Sequence, residues 1–174
     1  MPHQQAHRIA IAGLGGPDLQ SQALGVSMPH DAQGLWKLDL DLWNSGKAEL
    51  VPQVYTAQAT HAEPGHEAVH GPAEIGHWMS VLHTAFPDFK VEFTRTVTEG
   101  NQFVLCWTCH GTHKGEFLGI APTGKHVDLQ GVTVGRTSHG HIHEERLYYD
   151  RLGFLEQVGA VPALAHIQPE SVMR

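Results

Sequence analysis

The stretch "FKVEFTRTVTEGNQFVLCWTCHGTH", Phe89 to His113, decides the fold. It is dense in β-branched and aromatic residues, which suit a pleated, half-buried surface, and "EGNQ" in its middle supplies a turn. The pattern predicts two strands joined as a hairpin. Downstream, "HVDLQGVTVGRTS" and "HIHEERLYY" have the same character and are separated by "SHGH", so the sheet is predicted to be mostly antiparallel. On the second strand Phe103, Leu105, Trp107 and His113 share one parity, which makes a single inward face if no bulge intervenes. Cys106 and Cys109 form "CWTC", a spacing known from redox and zinc motifs. Three residues apart on a strand they point to opposite faces, which suits neither a disulfide nor a shared metal, so both read as small buried residues.

Upstream the period changes from two to 3.6. In "PAEIGHWMSVLHTAFPD", Ile75, Trp78, Met79, Leu82 and Phe86 fall on one helical stripe and Pro87 stops the helix. "LWKLDLDLW", Leu35 to Trp43, alternates like a strand, yet Trp36, Leu40 and Trp43 fit a helical face. The apolar positions continue at helical spacing through "SGKAEL" and Asp31 can cap the start, so a helix is predicted. A short final helix is predicted from Arg151 to Val158, ended by Gly159. Helices first and a sheet afterwards is the α+β pattern. Residues 1–30, rich in Gly, Gln, His and Pro, read as an N-terminal arm, and residues 31–174 as one domain.

Composition narrows the partners. Eleven Lys and Arg against 18 Asp and Glu give a formal charge of −7, and the basic residues form no run. Nucleic acid and anionic membrane surfaces are therefore poor partners. No apolar run has the roughly 18 residues of a membrane span, and "RIAIAGLGG" has an apolar part about as short as a signal peptide's can be, is broken by glycines and lacks a clear cleavage site, so the chain reads as cytoplasmic.

The 15 histidines raise the question of a metal. His61, His66, His70 and His77 form one group, and His139, His141 and His143 in "HGHIHEERLYYD" form another. The first lacks H-E-x-x-H spacing and is interrupted by Pro and Gly, and His139 of the second falls in a predicted turn. No metal ligand is assigned, and no cofactor is expected.

"GTHKGEFLGIAPTGKHV", Gly111 to Val127, resembles the signature of the SnoaL-like polyketide cyclases, within the nuclear transport factor two-like superfamily. "LWNSGKAELVPQVYTAQATHAEP" is similar to the family's opening helix and the segment leading to its pocket histidine, here His61. "WMSVLHTAFPDFKVEF" resembles its helix, Phe-Pro-Asp corner and first long strand, and "RLYYDRLGFLEQVGA" its closing strand and helix. The resemblance runs from about Gly34 to Val161. It implies a cone-shaped α+β barrel, with N-terminal helices packed on a strongly curved, mostly antiparallel sheet around one apolar pocket. It also implies a homodimer or homotetramer, and ring closure by intramolecular aldol condensation without metal or cofactor. The fold hosts isomerases, dehydratases and plain binding proteins as well, so activity has to be argued from the site.

Asp150 matches the family's catalytic aspartate. Strand parity groups it with Glu144, Arg146 and Tyr148, which are therefore expected to face the pocket, with His143, Glu145, Leu147 and Tyr149 on the other face. A carboxyl in an apolar pocket can shuttle the protons that an aldol closure needs. Asp150 also stands directly before a helix, where a carboxylate caps the backbone, and that role would hold its pKa down. His61 is its expected partner, either a substrate-orienting imidazole or a hydrogen-bonded histidine at a helix edge. Tyr148, Arg146, His113, Trp107, Glu144 and Trp43 are the expected substrate contacts. The sequence departs from the family at Arg146, where Trp is common, and at Leu147, where an acid is common. The expectation is thus an acid–base enzyme acting on a hydrophobic carbonyl-bearing small molecule. A non-catalytic binding module and a hydratase or dehydratase are the alternatives.

Overall fold

The structure, a computed structural model, describes residues 32–162. The N-terminal arm and Asp31, the expected cap, lie outside the described residues.

Helix α1 (Ala32–Ser45) buries Leu35, Trp36, Asp39 and Leu42. It ends at Gly46, whose φ of 65° turns the chain out of the helix. The helical spacing read through "SGKAEL" is a separate 3-10 turn, Ala48–Gln53. There follow β1 (Tyr55–Ala62), β2 (Val69–His70) and α2 (Gly71–Ala85). The predicted stripe of α2 holds: Ile75 and Met79 are fully buried, and the helix stops before Pro87. The strands β3 (Lys90–Glu99), β4 (Gln102–Thr112), β5 (His126–Ser138) and β6 (His141–Tyr149) lie where the sequence places them, and α3 (Arg151–Val158) ends at Gly159 with φ 77°.

The six strands form one sheet in the order β2-β1-β6-β5-β4-β3. All pairings are antiparallel except β1 with β6. The sheet is open, with β2 and β3 as its edges, where a closed barrel was expected. Helix α1 packs on β3, α2 on β1 and α3 on β5. Two apolar clusters result, one around Trp36, Tyr55, Met79 and Phe103, the other around Phe86, Phe117, Val127 and Phe154.

One irregularity decides which side chains of β6 turn inward. Arg136 pairs with Glu144 but Thr137 pairs with Ile142, so His143 is an extra residue in β6. This bulge lets Ile142 and Glu145, three apart, both be buried. Beyond it Glu145, Leu147 and Tyr149 face the interior, and Glu144, Arg146 and Tyr148 face outward. The parity expected from Asp150 is therefore inverted.

Candidate functional site

A cavity of about 130 Å³ draws its walls from both apolar clusters. Trp78, Leu82, Phe86, Phe117, Leu129 and Phe154 supply most of one wall. Trp107 supplies another part, its Nε1–H donating to Thr133 Oγ1 at 3.0 Å so that no polar atom of the ring is left bare. Most of the polar groups at the cavity come from α1, β1 and its end, and β6: Asp39 and Trp43, His61 with Glu63 just beyond the strand, and Glu145.

The parallel pairing of β1 and β6 sets His61 directly opposite Glu145. His61 is 1% exposed, and its Nδ1 lies 2.7 Å from Glu145 Oε1. The same carboxylate oxygen lies 2.7 Å from the Tyr55 hydroxyl, which is 3.1 Å from Asp39 Oδ1 and accepts from Trp43 Nε1–H at 3.0 Å. The Trp43 ring stacks on the His61 ring at 5.3 Å. On the other side of the imidazole, Glu63 Oε1 is 3.8 Å from Nε2 and 3.0 Å from His66 Nε2. At 3.8 Å Glu63 acts on His61 through charge and not through a hydrogen bond, which leaves Nε2 a buried donor without an acceptor.

These contacts fix the charges. Burial favours loss of the His61 proton, but the hydrogen bond to Glu145 and the charges of Glu145 and Glu63 outweigh it and raise its pKa to about 10. Burial likewise opposes ionisation of Glu63, and the two histidines overcome it, holding its pKa at about 2. His66 is raised by its hydrogen bond to Glu63. At neutral pH the cavity thus carries an imidazolium flanked by two carboxylates. Asp39 is the opposite case: burial first, and then the charge of Glu145, push its pKa well above the usual carboxylate range. Cys109, also in the wall, is raised to about 12, mainly by burial, and stays a thiol.

Of the residues expected at the site, His61, Trp43 and Trp107 line the cavity. His61 arrives on a strand, not at a helix edge. The others lie elsewhere. Asp150 is exposed and caps α3, its Oδ1 accepting from Gly153 N–H at 2.9 Å. Tyr148 is 51% exposed, Arg146 is exposed beside it, and Glu144 pairs with Arg136 at 2.8 Å on the outer face. His113 is fully buried but outside the cavity wall, stacked on Phe86 at 5.2 Å with Nδ1 3.2 Å from Thr123 Oγ1. Glu145, Tyr55, Asp39 and Glu63 are the residues that the sequence reading missed. Leu147 and Tyr149, apolar and aromatic in a charged strand, were the available signal for the inward parity of Glu145. Among the described residues no group of three or more His, Cys, Asp or Glu side chains is arranged to hold a metal ion. No helix among them is long and apolar enough to cross a membrane.

A family profile described as SnoaL-like polyketide cyclase matches residues 36–158. TsrD from Streptomyces laurentii superposes with a TM-score of 0.69 at 21% identity, over 76% of this chain and 100% of that one. IdmH from Streptomyces antibioticus gives 0.64 at 23% identity over 75% and 99%. A protein with a ketosteroid isomerase-like fold from Catenulispora acidiphila gives 0.64 at 16% identity over 76% and 95%. Identities this low establish the shared fold and nothing of the activity. No protein of curated function matches the chain.

Proposed function

The chain belongs to the SnoaL-like polyketide cyclase family, and from that membership we propose that it is a cofactor-independent acid–base enzyme of cyclase type, closing a ring in a hydrophobic carbonyl-bearing small molecule. The observation that carries the reading is the His61 imidazolium, held by Glu145 through Nδ1 and by the charge of Glu63, with Nε2–H unpartnered in an apolar cavity. A buried ion pair of this kind costs desolvation energy that an apolar core would not. Its retention beside a cavity fits a chemical task.

In this reading the aromatic wall holds the substrate folded, which makes the attack intramolecular and supplies orientation. Glu63, with its pKa held at about 2, is a weak base, so the step depends on His61: Nε2–H donates to a carbonyl oxygen and acidifies the carbon between two carbonyls, and Glu63 takes that proton as negative charge develops on the oxygen. The enolate carbon then forms the new bond to the carbon of a third carbonyl farther along the folded chain, whose π electrons pass to its oxygen, and the resulting alkoxide takes back the proton that Glu63 received. Trp43 fixes the ring plane and Glu145 fixes its rotation. The substrate-binding role expected of Tyr148, Arg146 and Glu144, and the catalytic role expected of Asp150, have no part in it. The homo-oligomer implied by the family belongs to the same proposal and is read by light scattering.

The test is exchange of the carbon-bound proton in D₂O for a panel of hydrophobic 1,3-diketones and β-keto esters, with mass spectrometry for cyclised products. Wild-type protein should accelerate exchange, and His61→Asn should lower the rate by about 10²–10⁴-fold while still binding the ligand. Binding without any exchange by wild-type protein would make this a ligand-binding module instead.

A further inference from the structure

Asp39 is the one acid at the cavity that this mechanism does not use, and its placement is informative. The Tyr55 oxygen has three polar neighbours, at 3.0 Å from Trp43 Nε1, 3.1 Å from Asp39 Oδ1 and 2.7 Å from Glu145 Oε1. The indole N–H can only donate. Tyr55 has a single hydroxyl hydrogen, and the shorter contact with Glu145 claims it. Asp39 Oδ1 and the tyrosine oxygen would then face each other as two acceptors, unless Asp39 itself carries a hydrogen. Two carboxyls bridged by one oxygen in a dry site do not both ionise. Glu145 has the His61 imidazolium at 2.7 Å to balance its charge, whereas no cation hydrogen-bonds to Asp39 among the interactions of the described residues. The proton therefore belongs on Asp39, which is 2% exposed.

We propose that Asp39 is a positioning residue: a neutral carboxylic acid that donates to the Tyr55 oxygen, commits the Tyr55 hydrogen to Glu145, and so sets the strength with which Glu145 holds His61. The chain Asp39–Tyr55–Glu145–His61 then runs in one direction, each oxygen accepting from behind and donating ahead as far as Glu145, which accepts from both sides. The upward shift of the Asp39 pKa agrees with this assignment. The groups facing His61 are Glu145, Glu63, the Trp43 ring and, more distantly, Asp39 and His66, so an ionised Asp39 would add a second buried negative charge behind the same imidazole. The proposal rests on the reading of His61 as the acid, but its test does not need turnover.

The decisive measurement is carbon-13 NMR of the Asp39 carboxyl in the full chain, with the His61 ring titrated in the same samples. A carboxyl signal that stays in its protonated position at pH 7 is expected; one that titrates below about pH 5, as an ordinary carboxylate does, overturns the proposal. Asp39→Asn keeps a neutral donor and should leave the His61 pKa within a few tenths of a unit. If Asp39 were ionised, the same variant would remove a negative charge and lower the His61 pKa by a unit or more. Asp39→Leu removes the donor, and weaker donation from Tyr55 should let Glu145 hold the His61 Nδ1–H more tightly, raising the His61 pKa. Loss of turnover in wild-type protein counts against the proposed activity alone, and movement of the His61 titration in Asp39→Asn counts against this inference alone.

Discussion

Glu145 Oε1 receives both the Tyr55 hydroxyl and the His61 Nδ1–H, each at 2.7 Å, so one oxygen ties two side chains of β1 to β6, and the Tyr55 oxygen extends the polar unit to Asp39 and Trp43 of α1. Glu145→Gln should therefore affect charge and stability together. Without the carboxylate, burial at His61 is opposed by Glu63 alone, and the His61 pKa should fall from about 10. Breaking one side of a buried pair costs about 3–5 kcal/mol. Urea unfolding at pH 7 and imidazole NMR check the two effects, and an unchanged midpoint would mean that the pair contributes nothing.

The pH dependence of stability follows from the same shifts. His61 is raised from 6.5 to about 10, so its contribution is fully present below pH 6.5 and is lost as pH rises towards 10. Glu63 is lowered from 4.5 to about 2, so its contribution is present above pH 4.5 and is lost as pH falls towards 2. Asp39, raised, weakens the fold further above its unfolded pKa of 3.8. The urea midpoint should be highest near pH 4.5, fall above it as Asp39 opposes folding, and fall more steeply above pH 6.5 as the His61 contribution is lost. His61→Asn should flatten that alkaline limb, and a limb of unchanged steepness would assign it to other groups.

The hairpins and α2 were legible because local pattern and tertiary role agree there: Ile75 and Met79 at helical spacing, and Gly100 and Gly140 at positive φ in the two turns. β1 was not legible as a strand. "YTAQATHA" contains Ala, Gln and His where a strand-like run would carry β-branched and aromatic residues, and it is extended because β6 and β2 pair with it on either side. Since His61 reaches Glu145 only through that parallel pairing, the dyad was hidden along with the strand. Parity on β6 failed for a different reason. It was anchored on Asp150, a residue beyond the end of the strand, and one bulge at His143 separates the inward sets on its two sides.

Asp150 gives a prediction of the opposite kind from Glu145. Its Oδ1 satisfies the Gly153 N–H at the start of α3, an exposed cap. Asp150→Ala should cost about 1 kcal/mol, and Asp150→Asn, which keeps an acceptor, only a fraction of that. Neither should change proton exchange in the cavity by more than about twofold. A loss of 10²-fold or more in a well-folded Asp150→Asn protein, the scale of a lost general acid or base, would return the catalytic role to Asp150.

The cavity wall can be tested through Gly131, which pairs with Trp107 on one side and Tyr149 on the other. A Cβ there would lie 2.5 Å from Trp107 Cζ2 and 2.6 Å from the Tyr148 carbonyl oxygen. The carbonyl belongs to the sheet ladder and cannot retreat, so the indole has to swing and break its bond to Thr133. Gly131→Ala should destabilise the fold by about 1–3 kcal/mol through overpacking and shift the tryptophan emission. If the ring is the main obstacle, Trp107→Leu in the same chain should make the alanine cheaper than it is beside Trp107. The coupling from that double-mutant cycle is expected at about 1 kcal/mol or more. Strict additivity would place the strain at the Tyr148 carbonyl and remove Gly131 from the set of residues that shape the cavity.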